Sequence, residues 1–275
     1  MIKTDYHTHS NYSIDGKASM DAMIERAIKL GLEEYAITDH IDFGYPHPKI
    51  IGPYDISDIV IAMETARAEY AGRIKVLVGV EMSLRPDLAD ITQQMVNAHD
   101  FDFVIGSVHD AKGIDFFWPE FYRGRSKNKV YALYYENLLD VVRVCDAYDV
   151  LGHFDYIERL VKMAYRYTSN PDLSLNLNLD NRDIIDEILK TVISKGKGIE
   201  INTSGITYGI GHPHPHINVL RRYIQLGGEI ITVGSDAHAP GNITQHFNAA
   251  YEILRQLDVK YITRYDKRKP IFVKL

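Results

Sequence analysis

Short runs of apolar and β-branched residues recur along the whole chain, and between them apolar positions fall three and four apart. The runs predict seven strands, over Ile2–Tyr6, Tyr35–Thr38, Val76–Val80, Phe103–Ser107, Val150–Gly152, Gly198–Asn202 and Ile230–Gly234. Met20, Met23, Ile24, Ala27 and Ile28 share one helical face, with Ser19 placed to cap the helix and Gly31 to end it. Tyr134, Leu138, Val141, Cys145 and Tyr148 form a second stripe. Ile184, Ile185, Ile188, Leu189, Val192 and Ile193 form a third, closed by Gly196; Leu220, Tyr223 and Ile224 begin another that ends at Gly227-Gly228. Strand–helix alternation repeated about seven times calls for a parallel sheet with helical crossovers. Seven units in one chain suit a (β/α) barrel better than an open sheet, although periodicity alone does not decide. No Pro/Gly/Ser linker interrupts the pattern, so residues 1–275 read as a single domain. Two loops look long: 108–128, with the aromatic cluster Phe116, Phe117, Trp118, Phe121 and Tyr122, and 162–180, rich in Tyr, Asn and Asp.

Composition adds exclusions. The chain is 45% hydrophobic and 25% charged, which argues against disorder and fibrous repeats. Its 31 basic and 37 acidic side chains leave a net charge of −6, which disfavours a nucleic-acid-binding surface. The lone cysteine, Cys145, excludes an intramolecular disulfide and a multi-cysteine zinc site. Met1-Ile2-Lys3-Thr4-Asp5 is too polar for a signal peptide, and no stretch approaches the roughly 20 apolar residues of a membrane span. A cytoplasmic location without a membrane partner is the expectation. Histidine is the outlier, with twelve in all.

Six of those histidines stand at the carboxyl ends of the expected strands: His7, His9, His40, His109, His153 and His238. Two carboxylates, Glu81 and Asp236, stand there too, and Asp15 follows in the loop after the first strand. In a barrel those ends converge on one rim. His7-Thr8-His9 can present two imidazoles to one ion, because residues i and i+2 of an extended segment point the same way. Asp236-Ala237-His238 does the same with an oxygen and a nitrogen. A His/carboxylate set without thiolates suits Zn, Mn or Fe. Nine ligands exceed what one ion takes, so two or three divalent ions are implied, with Glu81 as the natural bridge. Asp39 reads either as a partner that fixes a ring tautomer or as a helix cap. The run His212-Pro213-His214-Pro215-His216 favours a helix-entry loop over a ligand cluster. His47, His99 and His246 carry no spacing signal and suit surface or capping roles.

In order along the chain, His7-Thr8-His9, Thr38-Asp39-His40, Glu81, His109, His153 and Gly234-Ser235-Asp236-Ala237-His238 resemble the motif series of the polymerase-and-histidinol-phosphatase (PHP) phosphoesterases. The resemblance runs from Asp5 to the helix after His238. Within that family it is most similar to the stand-alone histidinol-phosphate phosphatases. It implies a distorted (β/α)7 barrel with a trinuclear metal centre. His7, His9, Glu81 and Asp236 would surround one ion, and Glu81 would bridge to a second held by His109 and His153. Asp15, His40 and His238 would hold the third; many family members have His where this chain has Asp15. Arg159 matches the basic residue that follows Gly152-His153-Phe154-Asp155-Tyr156-Ile157, and the segment from Glu200 to Gly205, with Asn202 and Ser204, looks like the substrate loop.

The implied activity is hydrolysis of a small phosphorylated metabolite, with L-histidinol phosphate first among candidates, a reaction of histidine biosynthesis. Adjacent divalent ions lower the pKa of a shared water, which then attacks phosphorus. Asp236 is the candidate proton acceptor. Arg159 can fork onto two phosphate oxygens, or else make a surface salt bridge with Glu158 or a neighbour. Phe117 or Trp118 can stack on an imidazole, and Asp42, Asp110 or Asp155 can meet an amine; a lid packed on the barrel is the plainer role of the aromatics. The alternatives are another phosphoester (a nucleotide, phosphotyrosine or a nucleic-acid 3′ end), amidohydrolase C–N chemistry, and a non-catalytic binder. The amidohydrolase pattern does not ordinarily include the Asp39-His40 and Glu81 positions.

Overall fold

The computed structural model of the chain describes residues 3–44, 55–165 and 181–275. Seven strands lie side by side in chain order: β1 (Thr4–Asp5), β2 (Glu34–Ile37), β3 (Lys75–Ser83), β4 (Phe103–Ser107), β5 (Val150–Leu151), β6 (Gly198–Asn202) and β7 (Ile231–Gly234). All neighbouring pairs are parallel. The sheet almost closes on itself. Tyr6 donates its backbone N–H to Val233 O at 3.2 Å, Asp236 donates to His7 O at 2.8 Å, and a parallel bridge joins Thr8 to Ala237. Two-residue strands at β1 and β5 make the barrel irregular.

Eight helices of eight or more residues surround the described sheet: α1 (Met20–Lys29), α2 (Ile56–Glu69), α3 (Ala89–Ala98), α4 (Lys127–Val144), α5 (Ile157–Ala164), α6 (Arg182–Ser194), α7 (Ile217–Gln225) and α8 (Phe247–Gln256). Ser19 Oγ accepts the Ala22 N–H at the start of α1, and Gly31 takes φ +75° past its end, a conformation that favours glycine. Met23 and Ile24 are buried on its inner face, and each such side chain contributes about 1.5–3 kcal/mol. The α6 and α7 stripes also face inward. The stripe from Tyr134 is shorter than its spacing suggests, because α4 stops at Val144. Cys145 takes extended φ/ψ as its cap, and Tyr148 is buried in the turn beyond.

Residues 108–128 are less loop-like than expected. They form a small hairpin, Asp110–Ala111 with Ile114–Asp115, then a short helix Pro119–Tyr122, before α4 begins. Residues 162–164 belong to α5. The rest of the Tyr- and Asn-rich segment (166–180), His47 and the start of the first strand at Ile2 lie outside the described residues.

The barrel interior is filled by Tyr6, Ala36, Leu77, Phe103, Ile105 and Val150, with Tyr265 added from a C-terminal hairpin (Tyr261–Asp266, Lys269–Lys274). Arg268 of that hairpin donates its N–H to Asp102 O at 2.8 Å and pairs with Asp149 at 2.9 Å, just before β4 and β5. The hairpin thus covers the end where the strands begin, and the chemistry-bearing residues gather at the other. Among the described residues no helix is long and apolar enough to cross a membrane.

Candidate metal centre

Glu81, in the long strand β3, points its carboxylate into the rim with 1% of its surface exposed. A two-residue strand, His40–Ile41, pairs with the end of β3 and brings His40 level with Glu81. Five imidazoles converge on this one carboxylate. His153 Nε2 lies 2.8 Å from Glu81 Oε1 and His109 Nε2 lies 3.6 Å from the same oxygen. His40 Nδ1, His7 Nε2 and His9 Nε2 face Oε2 at 2.9, 3.2 and 3.5 Å. Asp236 Oδ1 stands 3.3 Å from His9 Nε2 and 3.7 Å from His7 Nε2. Asp15 reaches in from its loop, with Oδ2 3.0 Å from His238 Nε2 and Oδ1 3.7 Å from His40 Nε2.

These contacts are close, yet many are not hydrogen bonds. His7 Nε2, His9 Nε2, His40 Nδ1, His238 Nε2 and Glu81 Oε2 are buried and find no hydrogen-bond partner. Leaving such an atom unsatisfied costs about 1–3 kcal/mol, so five in one place call for a shared partner that accepts lone pairs, which is a cation. The donor atoms fall into groups that each fit one ion: His7, His9 and Asp236; Glu81, His109 and His153; His9, His40 and His238; and His40, Asp42 and His109. The second is the set expected around one ion, the first is that expected around another without Glu81, and the third joins His40 and His238 to His9 rather than to Asp15. His9 borders two of them, and Asp42 enters beside His109 at 3.5 Å, where an amine partner was expected.

Tautomers are set from behind. Glu200 Oε1 accepts from His7 Nδ1 at 2.7 Å, which leaves Nε2 as the lone-pair nitrogen facing the cluster. Glu200 Oε2 also accepts the His153 backbone N–H at 3.1 Å. A Cβ on Gly234 would collide with His7 Cβ and Glu200 Oε1, so this approach requires glycine. Asp39 serves neither as a cap nor as a direct partner of His40. It accepts from Ser13 Oγ at 2.6 Å, and Ser13 Oγ in turn accepts from His9 Nδ1 at 3.1 Å, so Asp39 fixes the His9 ring through a hydroxyl. His238 Nδ1 donates to Asp236 O at 2.9 Å. Two non-glycine residues here take positive φ, Asp236 (+55°) and His153 (+20°), strain of the kind that gathers at functional sites.

The charge states suit cation binding. Burial pushes the His9 imidazole down to about 3, so the ring is neutral. Burial alone would raise Glu81 and Asp236, but the surrounding histidines, His7 first, hold both well below the usual carboxylate range. Burial also opposes charge on His7, yet Glu200, Glu81 and Asp236 raise it, and a bound cation takes the place of that proton.

Around the cluster, Tyr156 packs on His109 and His153 with centroids 5.7 and 4.7 Å away. Arg159 lies over the Tyr208 ring, 3.1 Å from its centroid, and 5.6 and 5.8 Å from Phe117 and Tyr156. The alternative of an Arg159–Glu158 salt bridge fails, because Glu158 faces His212 instead. Ser204 Oγ donates to Asp236 Oδ2 at 3.1 Å, and Asn202 Nδ2 lies 3.5 Å from the same oxygen. Asp110 is elsewhere: its Oδ1 accepts the Gly113 N–H and closes the small hairpin. Asp155 is buried against His214, whose Nδ1 lies 2.5 Å from Asp155 Oδ1. His216 caps α7, as a helix-entry loop requires, while His99 and His246 occupy the ends of α3 and α8. The sequence reading placed Glu200 only at the start of the substrate segment and missed its role behind His7, although Ile199 and Ile201 flank it and the alternation of β6 sets it on the same face as Asn202.

A recess of about 490 Å³ opens beside Arg159's aromatic neighbour Phe117, lined also by Phe116, Tyr122, Leu160, Met163 and Tyr165. A larger one of about 680 Å³, lined by Asn11, Met20, Asp58 and Glu69 among others, contains none of the cluster residues.

The family model for the PHP domain matches residues 5–204. A histidinol-phosphatase from Lactococcus lactis subsp. lactis is 32% identical over 86% of this chain and 85% of its own length. A probable histidinol-phosphatase from Clostridium acetobutylicum is 29% identical over 96% of this chain and 97% of its own. Among solved structures, the histidinol phosphate phosphatase from Lactococcus lactis subsp. lactis Il1403, complexed with zinc, L-histidinol and phosphate, superposes with a TM-score of 0.85 at 29% identity, covering 98% of both chains. With its model matched over most of the barrel, the chain belongs to the PHP domain family.

Proposed function

We propose that this protein is a metal-dependent phosphatase that hydrolyses L-histidinol phosphate to L-histidinol and phosphate. The observation that carries the proposal is the ring of five imidazoles on Glu81, closed by Asp236, in a barrel similar over nearly its whole length to an enzyme whose crystals hold zinc, L-histidinol and phosphate.

In this proposal His7, His9, Glu81 and Asp236 would hold one divalent ion, Glu81, His109 and His153 a second, and Asp15, His40 and His238 a third, with His9 adjoining. Such ions bring the pKa of water toward neutrality and offset the charge of a phosphoryl group, so an acidic chain accommodates an anionic substrate. Asp236, kept ionised by the histidines around it, takes the proton of the attacking water. Ser204 and Asn202 orient its other oxygen. Arg159, stacked on Tyr208, presents its planar fork to two phosphate oxygens. The recess beside Phe117 is lined mainly by aromatic and aliphatic side chains, with Arg123 among them, and suits the flat imidazole of the leaving group. A cytoplasmic location fits a biosynthetic enzyme of this kind.

Metal removal tests the proposal. Dialysis against a chelator should abolish phosphate release from histidinol phosphate, and zinc or manganese should restore it. Full activity in a chelated, demonstrably metal-free sample would sink it. Glu200→Gln supplies a finer check. Removing the acceptor behind His7 should weaken metal affinity about 10- to 100-fold, with activity recovered at high metal concentration. An unchanged metal titration curve would show that Glu200 does not tune the site.

A further inference from the structure

A second cluster of metal-ligand side chains lies behind the rim. Asp155 follows β5, Glu158 sits on the first turn of α5, and His212 belongs to the loop that enters α7. One donor atom from each lies within 4.8 Å of the others. Glu158 is the anomaly. Its side chain is fully buried, and neither carboxylate oxygen has a hydrogen-bond partner. His212 Nε2 comes within 3.0 Å of Glu158 Oε2, but the two make no aligned hydrogen bond.

The rim cluster shows the same arrangement. There too, ring nitrogens and carboxylate oxygens face each other at about 3 Å without hydrogen bonds, as His40 Nδ1 and His7 Nε2 do toward Glu81. The tautomer agrees as well. His212 Nδ1 lies 2.9 Å from Pro213 O and donates to it, so the lone-pair nitrogen is Nε2, the one turned toward Glu158. Carbonyl acceptance behind a ring whose other nitrogen faces a carboxylate is the usual setting of a metal-bound histidine. Asp155 keeps coordinating capacity: Oδ1 accepts from His214 Nδ1 and Oδ2 from the His216 N–H, one bond to each oxygen.

We infer that Asp155, Glu158 and His212 form an additional site for a divalent transition metal, separate from the rim cluster and of the zinc class. Two carboxylates and one imidazole suit zinc, with His212 partly exposed so that water completes the coordination. Burial raises the Glu158 carboxyl above the usual carboxylate range, a cost that a bound cation would offset. An ion here ties the first turn of α5, which carries Arg159, to the 212–216 loop. That loop pairs with the substrate segment, since Asn202 and His214 exchange backbone hydrogen bonds of 2.6 and 2.8 Å. The site would thus brace the Arg159 and Asn202 sides of the active rim.

Zinc-edge anomalous diffraction from crystals of the zinc-equilibrated full chain tests the inference. It should show a peak between Glu158 and His212 in addition to those at the rim. Peaks at the rim with none between Glu158 and His212 would overturn it. Metal analysis after gel filtration should give one zinc ion fewer per chain in H212N and in E158Q than in the unsubstituted protein. Equal zinc content in a folded variant would contradict the site, which would then be a charged His212–Glu158 pair only. If either variant fails to fold, the anomalous map still decides.

Discussion

Glu81→Gln should lower phosphate release by on the order of 10³-fold, equivalent to about 4 kcal/mol of lost transition-state stabilisation, and should strip metal from the protein. The amide keeps the shape of the side chain and removes its charge. In the native cluster that charge faces five imidazoles within 3.6 Å, so one residue touches two of the three ion positions. Ser107 Oγ donates to Oε1 at 2.6 Å, a bond the amide oxygen retains, so the fold should survive and the circular dichroism spectrum should be unchanged. Metal content and kcat must therefore fall together. A folded Glu81→Gln protein with full metal content and full activity would mean that the cluster is not the catalytic centre.

Arg159→Ala should reduce kcat/KM by about 10²- to 10³-fold while leaving the bound metal in place. The guanidinium is held by rings rather than by an acid. It stacks on Tyr208 and borders Phe117 and Tyr156, and its buried Nε has no hydrogen bond among the described residues. A cation so placed keeps its charge for an incoming anion. Arg159→Lys should recover little of the loss, because an ammonium neither stacks as a plane nor forks onto two oxygens. If the alanine variant kept wild-type kinetics, Arg159 would be a packing residue. If it lost metal as well, its effect would be structural.

Much of the rim was legible before any coordinates, because strand ends are marked twice in a (β/α) chain. The apolar run stops, and the residue types change. His7 and His9 after β1, and Asp236 and His238 after β7, carry their convergence in their spacing once the sheet closes. What was hidden depends on depth and direction. Glu200 looks like an ordinary polar residue in a short strand until the barrel turns it inward behind His7. Asp39 acts at one remove through Ser13, a contact that no local spacing encodes. Asp110 adjoins His109 in sequence, yet a hairpin turn takes up its carboxylate. The α4 stripe ran past its true end because Tyr148 is as well buried in a turn as a helical residue would be. Asp155 and Glu158 stand three residues apart at the entry to α5, but His212 comes from a distant loop, and only packing brings it to them.

The most direct test is a steady-state comparison of the zinc-loaded protein on L-histidinol phosphate, a nucleoside monophosphate and phosphotyrosine at equal concentration. The expected result is that kcat/KM for histidinol phosphate exceeds the others by about 100-fold, the discrimination that a recess shaped for its flat imidazole leaving group can achieve. Turnover of a nucleotide or of phosphotyrosine with no release from histidinol phosphate would contradict the proposed function.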